Sequence, residues 1–141
     1  MKCLVIGAEG QLGRALQAAA PAGANVVAPV EAACDLTNAD HVNRWLEEVR
    51  PNVVFNAAAY TAVDAAESDA AAAELVNAAS VGRLAEATKR RGARLVHVST
   101  DFVFDGETSR PYAPDDKPNP VNVYVIPGEG REIFARLGFS Y

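Results

Sequence analysis

Short apolar runs alternate with longer amphipathic segments along the first two thirds of the chain. Four apolar runs have the length and the β-branched content of buried strands. These runs are Lys2–Ile6, Asn25–Ala28, Val53–Phe55 and Arg94–Ser99. We therefore expect four strands, each separated from the next by a segment long enough to return across a sheet.

The three intervening segments carry apolar residues at helical spacing. Thr37 or Asn38 is a candidate cap for the second helix, Pro51 ends it, and Gly92 is the stop signal of the third. The expected packing positions are Leu12, Ala15, Leu16 and Ala19, then Val42, Trp45, Leu46 and Val49, then Leu75, Leu84 and Ala87 within an alanine-rich helix from about 70 to 91. Strands that alternate with helices predict an α/β fold with a doubly wound parallel sheet and right-handed crossovers.

The alternation stops between Phe102 and Pro120. Turn-forming residues dominate this stretch, among them Asp105-Gly106, Pro111 and Pro114. We interpret it as a loop of the same domain and not as a linker to a second one.

Length, charge and cysteine content narrow the class of protein. A chain of 141 residues suits one domain, and a net charge of −5 with a single short basic cluster argues against nucleic acid as a partner. No apolar run approaches the roughly 20 residues of a membrane span, and the N-terminus lacks the layout of a signal peptide, so we expect a soluble, cytoplasmic protein without membrane contact. Cys3 and Cys34 form no CxxC motif, and we expect two reduced thiols and no metal site.

A glycine motif lies between the first predicted strand and the first helix. It reads Gly7-Ala8-Glu9-Gly10-Gln11-Leu12-Gly13, where backbone amides at a helix N-terminus can face a pyrophosphate. Gly7 permits the turn, Gly10 lets the backbone approach the phosphates, and Gly13 lets the helix lie close to the sheet. This context predicts a dinucleotide-binding Rossmann fold, and the GxxGxxG spacing is typical of the extended short-chain dehydrogenases/reductases.

The choice between NADPH and NADH stays open at this point. The end of the second strand, 28–31, offers no arginine for a 2′-phosphate, and Glu31 would repel one if it pointed there. Arg14, just after the glycine loop, offers a cation from the helix.

Two longer motifs carry a more specific resemblance. They are Asn56-Ala57-Ala58-Ala59-Tyr60-Thr61-Ala62-Val63-Asp64 with the following Ala66-Glu67-Ser68, and Val98-Ser99-Thr100-Asp101-Phe102-Val103-Phe104-Asp105-Gly106. Together with the glycine loop they resemble the dTDP-4-dehydrorhamnose reductases from Met1 to Tyr124. The resemblance implies an enzyme that reduces dTDP-4-dehydro-β-L-rhamnose to dTDP-L-rhamnose with NADPH or NADH, and that forms homodimers.

The resemblance also implies roles for individual residues. Asp35 and Leu36 would flank the adenine, 59–61 (Ala59, Tyr60 and Thr61) would line the nicotinamide side, and Val98 would lie at the floor of the groove. Ordinary loop and packing roles remain the alternative, above all for Leu36 and Val98. Thr100 and Tyr124 match the catalytic hydroxyl pair: the threonine binds the substrate ketone and the tyrosine protonates its oxygen. Asp101 is a candidate substrate contact or a cap of the loop amides.

Three further titratable residues are better explained by structural roles than by catalytic or metal-binding roles. His97 lies inside the fourth predicted strand and points to the face opposite Val96 and Val98, so we interpret it as structural. Asp64 and Glu67 lack the spacing of a metal site or a paired-carboxylate site, and we interpret them as residues that order a loop.

The sequence departs from the family after Tyr124. The family has a lysine four residues after this tyrosine, which holds the nicotinamide ribose and lowers the pKa of the phenol, whereas this chain has Gly128 preceded by Pro127. The family also continues with a C-terminal portion that closes over the sugar nucleotide. We therefore interpret 1–124 as the NAD(P)-binding Rossmann domain of a truncated chain with little activity. We interpret 125–141 as a divergent tail, with a frameshift as the hypothesis for its origin.

Two other functions are compatible with the same residues. One is a non-catalytic NAD(P)-binding regulatory subunit, because the family includes a regulatory partner of methionine adenosyltransferase. The other is a sibling reductase or epimerase that acts on a different nucleotide sugar.

Overall fold

Four parallel strands form the sheet of this protein. The structure is a computed structural model that describes residues 1–98, 104–113, 115–117 and 119. The strands are β1 (Lys2–Ile6), β2 (Asn25–Val27), β3 (Val53–Asn56) and β4 (Arg94–His97), in the order β2-β1-β3-β4. The chain adds β2 on one side of β1 and then adds β3 and β4 on the other side, with all strands parallel. This strand order confirms the predicted doubly wound parallel sheet.

The helices lie between the strands. They are α1 (Gln11–Ala18), α2 (Ala39–Val49), α3 (Val63–Ser68), α4 (Ala70–Glu74) and α5 (Ser80–Arg90), with a π-helical turn at Leu75–Ala79 between α4 and α5. In α2 the open choice of cap is resolved, since the Asn38 carboxamide accepts hydrogen bonds from the backbone N–H groups of Asp40 and His41. The helix ends at Val49, and the following Arg50, which has a left-handed φ of 49°, leads into Pro51.

One face of the sheet packs against α2 and α5 to form the core. Leu4 and Ile6 alternate along β1 and are fully buried, as are Leu46 on α2 and Leu84 on α5. Burial of each such side chain contributes about 1.5–3 kcal/mol relative to exposure. This packing fixes the carboxyl ends of the strands relative to the loops that follow them.

The strand predictions are confirmed to within two residues, whereas several predictions for the helical segments need correction. Leu12, Ala15 and Ala19 of the first helix, predicted to pack, are exposed. The stretch after β3 contains α3, although the sequence predicted a loop there. The helix predicted from about 70 to 91 is interrupted by the π-helical turn. Leu75, predicted to pack, is 42% exposed. It lies two positions after the buried Ala73, which turns its side chain about 200° around the helix.

The remaining described residues, within 104–119, form neither helix nor strand. Their folding is local: the Phe104 and Tyr112 rings stack at 4.1 Å, and the Tyr112 hydroxyl donates to Asp105 Oδ1 at 2.7 Å. The Arg110 guanidinium donates to both carboxylate oxygens of Asp116. These contacts order the stretch as a structured loop, and its membership of the same domain stays a prediction. Among the described residues, no helix is long and apolar enough to cross a membrane.

Candidate cofactor-binding site

The glycine loop makes a close turn against the segment that follows β3. Gly7 has a φ of 77°, and a methyl group on it would lie 2.4 Å from the backbone nitrogen of Ala58. A methyl group on Gly13 would lie 2.1 Å from the Gly7 carbonyl oxygen. Only glycine fits at these two positions, because a Cβ would collide with backbone that cannot move aside. The sequence-based roles of Gly7 and Gly13 in the turn and in close packing therefore agree with the geometry.

Gly10 differs from the other two glycines of the motif. A methyl group there would meet only the Gly7 carbonyl oxygen, at an ordinary 3.5 Å. Gly10 is the N-cap of α1, no side chain caps the helix, and Gly10, Gln11 and Leu12 are exposed. The first turn of α1 thus presents backbone N–H groups to the outside without a side chain in front of them, which is an arrangement that fits a pyrophosphate.

The loop after β2 contains the predicted adenine residues Asp35 and Leu36. The Asp35 carboxylate accepts hydrogen bonds from the backbone N–H and the hydroxyl of Thr37, at 2.7 and 2.8 Å. Leu36 is 6% exposed and belongs to the core. Asp35 Oδ1 therefore orders the turn at Thr37, and the Leu36 side chain packs in the core.

The predicted nicotinamide-side residues 59–61 follow β3. A side chain of the π-helical turn before α5 holds the backbone of this segment. The Asn77 carboxamide oxygen accepts from the Tyr60 backbone N–H at 2.8 Å, and its nitrogen donates to the Tyr60 carbonyl at 3.1 Å. Asn77 lies in the π-helical turn. Ala59 and Thr61 remain exposed beside this anchored residue.

Asn56 and His97 meet where β3 and β4 end, on adjacent positions of the sheet. The Asn56 oxygen accepts from the backbone N–H of Ala58, which leaves its nitrogen to face His97 Nδ1 at 3.1 Å. The ring nitrogen then accepts, so that the imidazole is neutral with its proton on Nε2. Burial lowers the pKa of His97 below its ordinary value of 6.5. This hydrogen bond agrees with a structural role, and the neighbouring Val98 is 47% exposed.

A carboxylate of the glycine loop reaches the loop that follows β2. Glu9 Oε2 accepts a hydrogen bond from the backbone N–H of Glu31 at 2.9 Å. Arg14 is exposed on α1 and forms no ion pair with any residue that the structure describes.

Both cysteines lie beneath this surface as buried free thiols. Burial raises the pKa of Cys34 from 9.0 to about 11, against a smaller opposing effect of the nearby Arg44. The Cys34 thiol is therefore protonated at neutral pH and is a poor nucleophile.

Several predicted site residues lie outside the described residues. These are the proposed catalytic and substrate residues Thr100, Asp101 and Tyr124, together with Gly128. Asp64 and Glu67 lie on α3, which corrects their assignment to a loop.

Sequence reasoning assigned no role to Glu9, Asn56 or Asn77. Two signals pointed to the asparagines: Asn56 is a polar residue at the end of a buried strand, and Asn77 lies within an alanine-rich helix. Asparagine is unfavourable at either place unless its side chain has a specific hydrogen-bonding partner.

The parallel sheet, the glycine loop at the first strand–helix junction and the loops after β2 and β3 define a Rossmann domain of the dinucleotide-binding class. The family model described as RmlD substrate binding domain matches residues 1–127. The chain therefore belongs to this family.

Individual relatives agree with this assignment. The chain is 52% identical over 124 residues to a dTDP-4-dehydrorhamnose reductase of Burkholderia thailandensis, a match that covers 88% of this chain and 42% of the relative. A dTDP-4-dehydrorhamnose reductase structure from Clostridium acetobutylicum superposes with a TM-score of 0.82 at 42% identity, and covers 88% of this chain and 45% of its own. The Bacillus anthracis enzyme, solved in complex with NADP, superposes with a TM-score of 0.83 at 35% identity, over 87% of this chain and 45% of its own. The chain thus spans less than half the length of these relatives.

Proposed function

We propose that this chain is the cofactor-binding portion of a dTDP-4-dehydrorhamnose reductase, which reduces dTDP-4-dehydro-β-L-rhamnose to dTDP-L-rhamnose with NADPH or NADH. The geometry of Gly7, Gly10 and Gly13 carries the proposal. Two of these glycines are required by the fold, whereas Gly10 has room for a side chain and has none. A glycine that packing does not require, at an uncapped and exposed helix N-terminus, is explained by a ligand that approaches the backbone.

The proposed cofactor site extends from this loop along the carboxyl ends of the strands. The backbone of 10–13 (Gly10, Gln11, Leu12 and Gly13) would hold the pyrophosphate. The loop of Asp35 and Leu36 would flank the adenine, with Leu36 acting through its backbone because its side chain is in the core. Ala59, Tyr60, Thr61 and Val98 would line the nicotinamide side, and the Asn77 anchor supports this by fixing the Tyr60 backbone.

The proposed reaction reduces a ketone on the sugar, and the nicotinamide supplies the hydride when bound. By family resemblance, Thr100 would hydrogen-bond the ketone oxygen, Tyr124 would donate the proton that this oxygen needs as it becomes a hydroxyl, and Asp101 would contact the substrate. A well-placed proton donor is worth about 10²–10⁴ in rate. The substrate is a nucleotide sugar, as for the relatives named above.

We further propose that this chain turns over slowly or not at all. The position four residues after Tyr124 is Gly128, which offers no ammonium to lower the pKa of the phenol.

The family model extends to residue 127, three residues past the end of the resemblance seen in the motifs. A boundary at 124, with 125–141 derived from a frameshift, is tested by translating the coding DNA after the Tyr124 codon in the other frames. A Tyr-x-x-x-Lys continuation in one of them would support it, and none in any frame would refute it.

A titration of the chain with NADH and NADPH, followed by nicotinamide fluorescence, tests the central proposal. We expect saturable binding of at least one of them and competition by ADP. Failure of both to bind would refute a cofactor site.

The 52% identity to a reductase favours this function over a regulatory subunit or a sibling enzyme. Stoichiometric binding to another protein, with no ketone reduction after Gly128→Lys in a chain extended to the length of the relatives, would favour the regulator instead.

A further inference from the structure

Gln17 ties the glycine loop to the body of α1. Its carboxamide nitrogen donates to the carbonyl oxygen of Ala8 at 2.8 Å and to that of Gly13 at 3.0 Å. Ala8 lies in the loop, nine residues earlier in the chain, whereas Gly13 is the buried glycine of the helix. One side chain therefore joins the turn after β1 to the helix that follows it.

The bond reaches the one peptide of this turn that has two alternative orientations. The Gly10 N–H donates to the Gly7 carbonyl oxygen at 3.3 Å, so residues 7–10 form a turn with Ala8 and Glu9 at its centre. The peptide between the two central residues rotates when a turn changes from type I to type II, and the residues on either side keep their places. Gln17 holds the carbonyl oxygen of this central peptide.

The direction of this carbonyl fixes the direction of the next N–H group. In a planar trans peptide the C=O and the N–H point to opposite sides. Because the Ala8 carbonyl points towards the Gln17 side chain, the Glu9 N–H points away from it. This N–H makes none of the hydrogen bonds identified among the described residues, and Glu9 directly precedes the exposed residues 10–12 at the start of α1. The Glu9 N–H therefore extends the row of backbone donors at the helix N-terminus.

We propose that Gln17 is a positioning residue for the cofactor pyrophosphate: its carboxamide holds the Ala8–Glu9 peptide in the orientation that presents the Glu9 N–H to the phosphates. The inference rests on the proposed function and adds to it a residue that does not touch the ligand. Core packing does not explain the arrangement, because Gln17 is exposed and ordering an exposed glutamine loses side-chain entropy. A loop already held in its binding conformation loses less freedom when the ligand binds, which raises the affinity.

Titrations with ADP and NADPH test this role in the chain as it stands. Gln17→Met keeps a similar length and helix propensity but removes the donor to Ala8. Gln17→Asn is the second variant, which keeps the carboxamide on a side chain one methylene group shorter. Ala18→Met, at the exposed neighbouring position of α1, is the matched control, because it introduces the same side chain and leaves Gln17 in place. Inorganic pyrophosphate, followed through the amide NMR signal of Glu9, probes the turn without the adenosine or the nicotinamide.

Gln17→Met and Gln17→Asn should each weaken the binding of ADP and of NADPH by the same factor, about three- to tenfold, which is what one intramolecular hydrogen bond is typically worth. Ala18→Met should leave both affinities unchanged. Pyrophosphate should shift the Glu9 amide signal of the unsubstituted chain, and the shift at saturation should be smaller in Gln17→Met. A general loss of stability would not reduce that shift, because only folded protein with bound ligand contributes to it.

Unchanged affinities of both Gln17 variants for ADP and NADPH would overturn the inference and leave the proposed function intact. An equal loss of affinity in Ala18→Met would also overturn it, as would a Glu9 shift at saturation that is the same with and without the Gln17 carboxamide. If the unsubstituted chain binds neither ADP nor NADPH, the proposed function fails and the inference fails with it.

Discussion

Asn77 holds the backbone of Tyr60 with both ends of its carboxamide, which accepts from the Tyr60 N–H at 2.8 Å and donates to its carbonyl at 3.1 Å. The two residues are 17 positions apart and connect the loop after β3 to the π-helical turn before α5. Single π-helical turns within helices occur often at functional sites. Here the Asn77 side chain gives the Tyr60 backbone the two hydrogen bonds that a neighbouring strand would otherwise supply.

Replacement of Asn77 by aspartate should loosen this loop. The introduced carboxylate would keep an acceptor for the Tyr60 N–H but could not donate to its carbonyl, and a lost hydrogen bond of this type costs about 0.5–1.5 kcal/mol. Asn77→Ala removes both bonds and should cost more. Urea unfolding measures the change in stability, and hydrogen exchange at the Tyr60 amide reports the loop directly: exchange should accelerate in Asn77→Ala more than in Asn77→Asp.

Asn43→Ala on α2 is the matched control for the asparagine variants, because its side chain makes none of the hydrogen bonds identified in the described part of the chain. It should leave the exchange of the Tyr60 amide unchanged. Unaltered Tyr60 exchange in Asn77→Ala would show that the carboxamide does not hold the loop.

Substitutions at Gly13 and Gly10 of the cofactor loop should separate effects on stability from effects on cofactor binding. Gly13→Ala should destabilise the protein by several kcal/mol, since its methyl group would lie 2.1 Å from the Gly7 carbonyl oxygen. Gly10→Ala should fold with near-normal stability, because its methyl group meets only an atom at 3.5 Å, yet it should weaken NAD(P)H binding at least about tenfold. Thermal unfolding and cofactor titration measure the two effects.

Gly82→Ala provides the control for both glycine variants. Gly82 lies within α5 with nothing within 4 Å of an added methyl group, so alanine should stabilise the helix by about 0.5–1 kcal/mol and leave binding unchanged. Equal destabilisation by Gly10→Ala and Gly13→Ala would contradict the division of roles.

The strands were the most predictable part of this fold. Runs such as Val53–Phe55 are short, rich in β-branched residues and buried or half-buried, so that local preference and tertiary burial agree. The helix around Leu75 was less predictable, because alanine-rich sequence gives no periodic signal that distinguishes an α-helix from one with a π-helical turn. The Glu9–Glu31 and Asn56–His97 contacts join residues far apart in sequence, and hydrogen bonds of this kind follow from tertiary geometry and not from any local pattern.

The Cys34 thiol should resist alkylation in the folded protein. Burial raises its pKa from 9.0 to about 11, so at pH 8 very little thiolate is present, whereas the unfolded chain exposes an ordinary thiol. Iodoacetamide labelling read by peptide mass spectrometry should therefore be slow at Cys34 in buffer and fast in urea.

The same pKa shift predicts an alkaline loss of stability. A thiol whose folded pKa is raised stabilises the fold below the unfolded pKa, and this contribution is lost as the pH rises from 9 towards 11. Cys34→Ser removes the titrating group and should show a smaller loss across that range. Equal labelling rates at pH 8 for folded and unfolded Cys34 would contradict the buried, protonated thiol.

His97 should titrate below its ordinary pKa of 6.5, because burial opposes the charged imidazolium. The Asn56 nitrogen that faces Nδ1 acts in the same direction, since it donates to the neutral ring. A base with a lowered folded pKa supports folding above pH 6.5, and that contribution disappears as the pH falls through the folded pKa.

NMR titration of the His97 imidazole, whose signal is assigned by its loss in His97→Gln, measures this pKa. Asn56→Asp keeps the acceptor for the Ala58 N–H and replaces the donor by a carboxylate that attracts the imidazolium, so the pKa of His97 should rise. A pKa at or above 6.5 in the unsubstituted chain would show that the ring is not held neutral, and that result would not depend on whether the Asn56→Asp variant folds.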